Sequence, residues 1–312
     1  IISKDFAGNP TGLSFEAAML ATCLSAAVAT IIMGLVANYP IAQAPGMGEN
    51  YFFVSVVMSL AAQGVADAWR VALGIVFISG VLFLLLSLLP LREKIINAVS
   101  PSLKNGIAVG IGLFIAFIGL RNAGIVISEF DVLKMNPNIL NFDAKTFKPD
   151  YAIFFLGLIL ITALHARKVK GAILIGIVVC AFVSFLCGAT KISGVFGLPK
   201  DHAFLAMDLR TAFSMKWVAF IVVFLFMDVF DTMGTLIGVG EAGGFIHDDK
   251  LPRAGRAMIS DAAGTVVGAL TGTSTVTSYI ESAVGVQYGA RTGLANLATG
   301  ILFLFALFIA PL

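Results

Sequence analysis

The stretch that decides the fold is GTSTVTSYIESAVGVQYGARTG, residues 272–293, which lies between two long hydrophobic runs. Its first half consists of small polar residues and β-branched threonines, and Glu281 stands in its middle. Serine and threonine side chains compete with a helix for backbone hydrogen bonds. Irregular backbone at membrane depth occurs only where protein covers it or where it lines a cavity. The stretch therefore predicts a broken helix that helps to build a binding site.

The composition around this stretch is that of a membrane protein. The chain has 312 residues, of which 59% are hydrophobic and 12% charged, whereas soluble domains have about 25% charged residues. The basic residues lie between apolar runs rather than in one patch, so we expect the lipid bilayer and not nucleic acid as a partner. The three cysteines fall inside apolar runs and the three histidines are far apart. Neither pattern predicts a disulfide, a metal site or a cofactor.

Apolar runs of about 20 residues predict about ten membrane spans. The seventh covers about Trp217–Val239 and the eighth about Ala254–Leu270. The chain starts at Ile1 and stops at FALFIAPL, at the edge of an apolar run. We therefore interpret residues 1–312 as one transporter domain truncated at both ends.

Two parts of the chain resemble each other. Residues 24–42, LSAAVATIIMGLVANYPIA, align without gaps with residues 259–277, ISDAAGTVVGALTGTSTVT. An odd number of predicted spans separates the two starts, so the copies run through the membrane in opposite senses. In carriers with such inverted repeats, the substrate lies near the midplane between two broken helices. The repeat predicts a site at residues 40–49 and 272–281, with residues 16–126 in the first repeat and 217–312 in the second.

Few charged side chains lie inside the predicted spans, namely Asp228, Asp231, Asp261 and Glu281. Each costs at least ~2.5 kcal/mol at mid-membrane on insertion scales. Asp228, Asp231 and Thr235 share one helix face because of their i, i+3, i+7 spacing. For Asp228 and Asp231 the alternatives are a role at the site or pairing within the helix bundle. Asp261 replaces Ala26 of the other repeat copy, so it either pairs with a neighbouring helix or takes part in proton coupling.

Two carboxyl groups on facing elements suit a planar ligand with several N–H donors. Burial favours the neutral form of a carboxyl group, so such a group can also carry a proton. Exposed backbone amides and carbonyls of the broken segments are available for the remaining edge of the ligand. This arrangement fits a nucleobase better than a sugar or an inorganic anion.

Three motifs carry a family resemblance: FMDVFDTMGTLIG (residues 226–238), the opening stretch, and ANYPIAQAPGMGENYFF (residues 37–53). Together they resemble the AzgA-like purine permeases, which are guanine/hypoxanthine or adenine transporters of the nucleobase–cation symporter-2 (nucleobase/ascorbate transporter) family. The resemblance implies an all-α polytopic fold with an inverted 7+7 transmembrane repeat, core and gate domains, and short extended segments in two broken helices. On that template the chain covers segments two to eleven.

The resemblance also implies site residues. Asp231 matches the base-binding carboxylate of segment eight and Glu281 its segment-ten counterpart. Thr235 stands where related uracil and xanthine carriers have His or Asp, and Asp261 matches a segment-nine carboxylate. The backbone near both extended segments completes the predicted pocket, at Ala44, Pro45, Gly46, Ser278, Tyr279 and Ile280. Glu49 replaces the usual small residue after PGMG, which either alters the rim of the site or caps a helix.

The sequence thus predicts a multi-pass carrier of the cell membrane that imports a purine nucleobase by alternating access. The base is guanine or hypoxanthine, or alternatively adenine, and a homodimer is a candidate assembly. The coupling ion is a proton, carried by Asp231, Asp261, Glu281 or Asp228, with sodium as the rival ion. One alternative function is an anion carrier of the sulfate-permease type, which places helix N-termini and a cation at its site. Another is an intramembrane aspartyl enzyme.

Overall fold

The computed structural model describes residues 2–4, 9–89, 101–129, 132–136, 149–169, 171–188, 196–246 and 251–309. Helices dominate these ranges, as the composition predicts. They are α1 (Phe15–Ile32, continued by a π-helical turn over Met33–Ala37), α2 (Met47–Ala62), α3 (Ala68–Leu88), α4 (Pro101–Asn122), α5 (Pro149–Ala166), α6 (Ala172–Leu186), α7 (Leu209–Ala212), α8 (Val218–Gly243), α9 (Ala254–Thr271), α10 (Ser282–Gln287) and α11 (Leu294–Ala306).

Within the described residues, four short strands interrupt the helices. β1 (Gln43–Pro45) precedes α2, and β4 (Val276–Ser278) precedes α10. β2 (Val126–Glu129) and β3 (Val132–Met135) pair with each other, an antiparallel hairpin that the sequence did not predict. The prediction of two extended segments in broken helices is confirmed by β1 and β4.

The chain divides into two compact units. The first contains residues 1–108 and 196–310, and the second contains residues 109–195. In the first unit, α9 packs against α1 and α3, and α1 also packs against α11. In the second unit, α5 packs against α6. All residues of the predicted site belong to the first unit.

Three helical stretches within the described residues are long and apolar enough to cross a membrane: Phe15–Ala37, Ala68–Leu88 and Met215–Gly243. Three further helices are apolar but shorter, at Asp150–Ala166, Ala172–Leu186 and Leu294–Ala306. The polytopic helical class is therefore confirmed, while the number of about ten spans stays a prediction. The repeat boundaries 16–126 and 217–312 also stay predictions.

The pairing of β1 with β4 agrees with the inverted repeat. The two strands are antiparallel, and Gln43 is the ladder partner of Ser278. The sequence alignment of the two copies, continued by one residue, places the same two residues opposite each other. In each copy a matching threonine fixes the strand that follows it: Thr30 donates to the carbonyl of Gln43 at 2.9 Å, and Thr265 donates to that of Val276 at 2.9 Å.

Close packing at two glycines holds α11 on α1. An ideal Cβ on Gly293 would lie 2.0 Å from the carbonyl oxygen of Gly34. This distance is shorter than a van der Waals contact, and a backbone carbonyl cannot easily move aside. Asn296, one turn into α11, donates to the carbonyls of Thr30 and Ile41 at 3.1 and 2.7 Å. Because Ile41 lies two residues before the first residue of β1, this contact also positions the strand.

We expect Gly293→Ala to destabilise the protein, since the added methyl group overlaps the Gly34 carbonyl and α11 must move away from α1. Such overpacking costs typically about 1–3 kcal/mol. The measurement is the apparent melting temperature of purified protein in detergent. Gly110→Ala, on a helix where an added Cβ meets nothing within 4 Å, is the control. Equal melting temperatures for the two variants would contradict the close approach.

Candidate functional site

The inward face of α8 carries two acidic residues of the candidate site, Asp228 and Asp231. Asp228 is completely buried and Thr235 is 1% exposed, while Asp231 between them is partly buried. The predicted i, i+3, i+7 face therefore lies toward the protein interior. β4 packs against α8, which brings its polar side chains to these residues.

Asp261 on α9 connects three other elements. Its Oδ1 accepts from Gln43 Nε2 of β1 at 2.8 Å and from Ser278 Oγ of β4 at 2.6 Å. Its Oδ2 accepts from Thr232 Oγ1 of α8 at 2.5 Å. Three donors converge on one fully buried carboxylate, which compensates the loss of hydration. Asp261 thus joins α9 to three other elements, and its part in proton coupling stays a prediction.

Thr232 and Thr277 lie between two carboxyl groups. The hydroxyl of Thr232 donates to Asp261 and lies 3.2 Å from the hydroxyl of Thr277. The side chain of Thr277 also lies near that of Asp231. Both threonines are at most 1% exposed. Two buried hydroxyl groups therefore lie between Asp261 and Asp231.

Asp228 has a different environment. Its Oδ2 lies 2.7 Å from Thr265 Oγ1, which also lies 2.9 Å from the carbonyl oxygen of Val276. A hydroxyl group carries one hydrogen, so both contacts are hydrogen bonds together only when Asp228 is protonated and donates to Thr265. The Oδ1 atom of Asp228 has no hydrogen-bond partner among the described residues. Because an unpaired buried charge is costly, this geometry favours a neutral Asp228.

Most backbone N–H and C=O groups around β1 and β4 already have hydrogen-bond partners. The ladder of β1 and β4 continues where Tyr279 N donates to Ala42 O at 2.9 Å and Gly46 N donates to Thr275 O at 3.1 Å. The Tyr279 hydroxyl donates to the carbonyl of Pro45 at 2.7 Å. Ala44 and Ser278 are buried within this pair. The predicted backbone positions are thus brought together, and the amide groups of Gly46 and Tyr279 are already paired.

Glu49 contributes an acidic group that the sequence placed at the rim. It is 4% exposed and lies in the first turn of α2. An ideal Cβ on Gly46 would lie 2.0 Å from Glu49 Oε2, so the carboxylate folds back over that glycine. Asp231 is its strongest charged neighbour. Glu49 is therefore a buried acid beside the candidate site, and its role as a helix cap stays a prediction.

Glu281 is exposed in the structure, whereas its place in a predicted span implied burial. The reason is the short helix α10, which buries Val286 and leaves Glu281 at its exposed start. Glu281 remains within electrostatic range of Asp231 and of Tyr279. Ile280 is partly buried and faces α8, since an ideal Cβ on Gly238 would lie 2.8 Å from its Cδ1 atom. Glu281 thus lies at the edge of the acidic cluster and not inside it.

Sequence reasoning missed Gln43, Thr232 and the side chain of Thr277. The repeat contained a signal for Gln43, since the extended alignment pairs it with Ser278. Thr232 directly follows Asp231 and therefore points about 100° away from it around an ideal helix. Only the packing of α9 and β4 on that side makes its hydroxyl part of the site.

The family follows from comparison with known proteins. The family model described as "Permease family" (Xan_ur_permease) matches residues 6–312. The chain belongs to this permease family. It is accordingly an integral membrane transporter, and the alternative of an intramembrane enzyme is wrong. The predicted resemblance to nucleobase permeases is confirmed.

Two curated relatives match the permease over nearly its whole length. The guanine/hypoxanthine permease PbuG of Bacillus subtilis is 42% identical over 99% of this chain and 69% of its own length. The adenine permease AdeQ of Escherichia coli is 37% identical over 93% of this chain and 64% of its own length. The chain thus spans about two thirds of the length of these relatives.

A solved structure shows the same fold. The transmembrane domain of the cyanobacterial bicarbonate transporter BicA superposes with a TM-score of 0.60, covering 96% of this chain and 80% of that one. The sequences are 16% identical, so this likeness concerns the architecture alone. It confirms the helical repeat fold of the permease.

We expect Asp261→Asn to destabilise the permease. The amide group has one acceptor oxygen, so it cannot accept from all three donors that converge on the two carboxylate oxygens. Each hydrogen bond to a charged group contributes about 1.5–3 kcal/mol, so the loss is on the order of 3 kcal/mol. Thermal unfolding in detergent measures it, with Glu241→Gln on the exposed end of α8 as the control. Wild-type stability of the Asp261 variant would contradict the anchoring role.

Proposed function

We propose that this permease carries a purine nucleobase into the cell, guanine or hypoxanthine in the first place and adenine as the alternative base. The observation that carries the proposal is the 42% identity over 99% of the chain to a guanine/hypoxanthine permease. The relative named as an adenine permease has lower identity, 37%. Its similarity keeps adenine among the candidate substrates.

The acidic cluster supports this choice of ligand. Glu49 and Glu281 are both acidic neighbours of Asp231 around the paired strands. Carboxyl groups accept hydrogen bonds from the N–H edge of a planar base, and a neutral carboxyl group also donates one. A bicarbonate-type anion would be repelled by ionised members of this cluster. The electrostatics thus favour a nucleobase over the anion-carrier alternative, although both share the fold.

In this proposal Asp231 and Glu281 hydrogen-bond the base from α8 and from the start of α10. Thr235 lies on the same buried face of α8 as Asp228, two helical turns further along the chain. Its side chain shapes the pocket. β1 and β4 hold these elements at a fixed separation because their ladder joins the two repeat copies. Alternating access then requires movement around a rigid strand pair, as in other inverted-repeat carriers. Transport of the base is coupled to a proton, with sodium as the rival ion.

We expect Asp231→Asn and Glu281→Gln to lower uptake of the transported base by about 10- to 100-fold, the worth of one hydrogen bond to a charged group. The measurement is uptake of labelled hypoxanthine, guanine, adenine and uracil by cells without their own carriers that express the permease. Glu241→Gln is the matched control, since this carboxylate lies on the same helix but is exposed. Unchanged purine uptake in both site variants would refute their assignment.

We expect accumulation of the base to stop when the proton gradient is collapsed, because the coupled proton then no longer moves downhill. The measurement is uptake with a protonophore at constant sodium, and the control removes the sodium gradient while the proton gradient is kept. Accumulation that ignores the protonophore but follows sodium would assign the coupling to the rival ion.

A further inference from the structure

Glu49 is a buried acid whose carboxyl group no neighbouring side chain binds. It is 4% exposed and lies in the first turn of α2. Among the residues that the structure describes, no other side chain hydrogen-bonds this carboxyl group and no basic residue forms an ion pair with it. Burial of a carboxyl group without such a partner costs free energy. The position of Glu49 therefore needs a reason outside the packing of α2.

Gly46 and Thr277 show where the carboxyl group of Glu49 lies. An ideal Cβ on Gly46 would lie 2.0 Å from Glu49 Oε2 and 2.9 Å from Thr277 Cγ2. The carboxyl group and the Thr277 side chain are therefore neighbours on the same side of Gly46. Thr277 belongs to β4 and also lies near the side chain of Asp231. Glu49 and Asp231 thus lie around one residue of the strand pair, on α2 and on α8.

Three acids from three elements border the candidate site. They are Asp231 of α8, Glu281 at the start of α10 and Glu49 of α2. Asp231 and Tyr279 are electrostatic neighbours of both glutamates. The proposed function assigns the ring N–H groups of the base to Asp231 and Glu281. Glu49 adds an acceptor for a further N–H group.

Guanine and hypoxanthine differ in such a group. Guanine carries an amino group on its six-membered ring, which donates hydrogen bonds, and hypoxanthine has a hydrogen atom at the same position. A site that is built to hydrogen-bond an N–H group of its ligand rejects the analogue without that group, because a buried polar group of the protein then stays unpaired. An unpartnered buried carboxyl group at the site meets this description.

We infer that Glu49 accepts a hydrogen bond from the ring amino group of guanine and thereby makes guanine the preferred base over hypoxanthine. This inference rests on the proposed function, since it divides the two bases that the proposed function leaves together. Guanine compensates the burial of the Glu49 carboxyl group, whereas hypoxanthine leaves it without a partner. Adenine also carries an amino group on this ring, at a different ring position.

The alternative role of Glu49 is that of a helix cap. An acidic side chain in the first turn is stabilised by the partial positive charge of the helix N-terminus. That interaction is present with either base or with none, so it changes the two affinities equally. The ratio of the affinities for guanine and hypoxanthine therefore separates a ligand contact from a structural contact.

The test measures that ratio in the purified permease. Dissociation constants of guanine and hypoxanthine are determined by competition against labelled hypoxanthine, for the wild-type protein and for Glu49→Leu. Leucine is an apolar side chain of similar reach and accepts no hydrogen bond. Glu16→Leu is the matched control, because Glu16 is also an acid in the first turn of a helix but is exposed.

We expect the wild-type permease to bind guanine roughly 10-fold more tightly than hypoxanthine, the worth of one hydrogen bond. In Glu49→Leu the two bases bind with nearly equal affinity, and in Glu16→Leu the wild-type ratio is kept. A leucine variant of Glu49 with the wild-type ratio overturns the inference, including the case in which it loses both bases alike. Equal affinities in the wild-type protein also overturn it. A wild-type permease that binds neither base refutes the proposed function instead.

A second variant covers the case in which Glu49→Leu does not fold. Glu49→Gln keeps the size of the side chain and replaces the carboxyl group by a neutral amide, which is a weaker acceptor. We expect a guanine-to-hypoxanthine ratio between those of the wild-type and leucine proteins. Where only the glutamine variant can be purified, an unchanged ratio in that variant overturns the inference.

Discussion

The fold of the candidate site depends on the carboxylate of Asp261. It receives hydrogen bonds from Gln43 of β1, Ser278 of β4 and Thr232 of α8, and so connects α9 with three other elements. A two-stranded ladder of three residue pairs has little stability alone. Bonds to a buried charge supply the additional interaction that keeps these short strands together. The three hydrogen-bond donors in turn compensate the free-energy cost of removing the Asp261 carboxylate from water. The strands and the buried carboxylate therefore stabilise each other.

Steric constraints act together with this polar anchor. The glycines at positions 34 and 293 allow α1 and α11 to approach at backbone contact, and Asn296 then binds the carbonyls beside β1. Small residues at helix contacts are the usual solution in membranes, where the surrounding lipid is as apolar as the side chains. Close packing sets the position of β1, and hydrogen bonds set its register.

The carboxyl groups of the site differ in their environments. Asp261 is surrounded by donors, Asp228 has one hydroxyl neighbour and an unpaired oxygen atom, and Asp231 is partly open. Glu49 is buried beside them and Glu281 lies at the exposed edge. Groups of one chemical type thus have separate tasks, because hydration and hydrogen-bond donors differ over a few ångströms. This separation leaves Asp231 partly open while Asp261 holds the strands.

The sequence by itself determined the membrane class, the inverted repeat, the two extended segments and the inward face of α8, because each follows from a pattern within one element or between two aligned copies. It also identified Asp228, Asp231 and Asp261 as acids in need of partners. Only the tertiary structure decided what those partners are, that Glu49 is buried, and that Glu281 is exposed. Hydroxyl groups such as those of Thr232 and Thr277 give no periodic signal, and their role arises from distances between elements that are far apart in the chain. The sequence predicts that a buried carboxylate costs free energy. Which hydrogen-bond donors compensate that cost depends on how the elements pack.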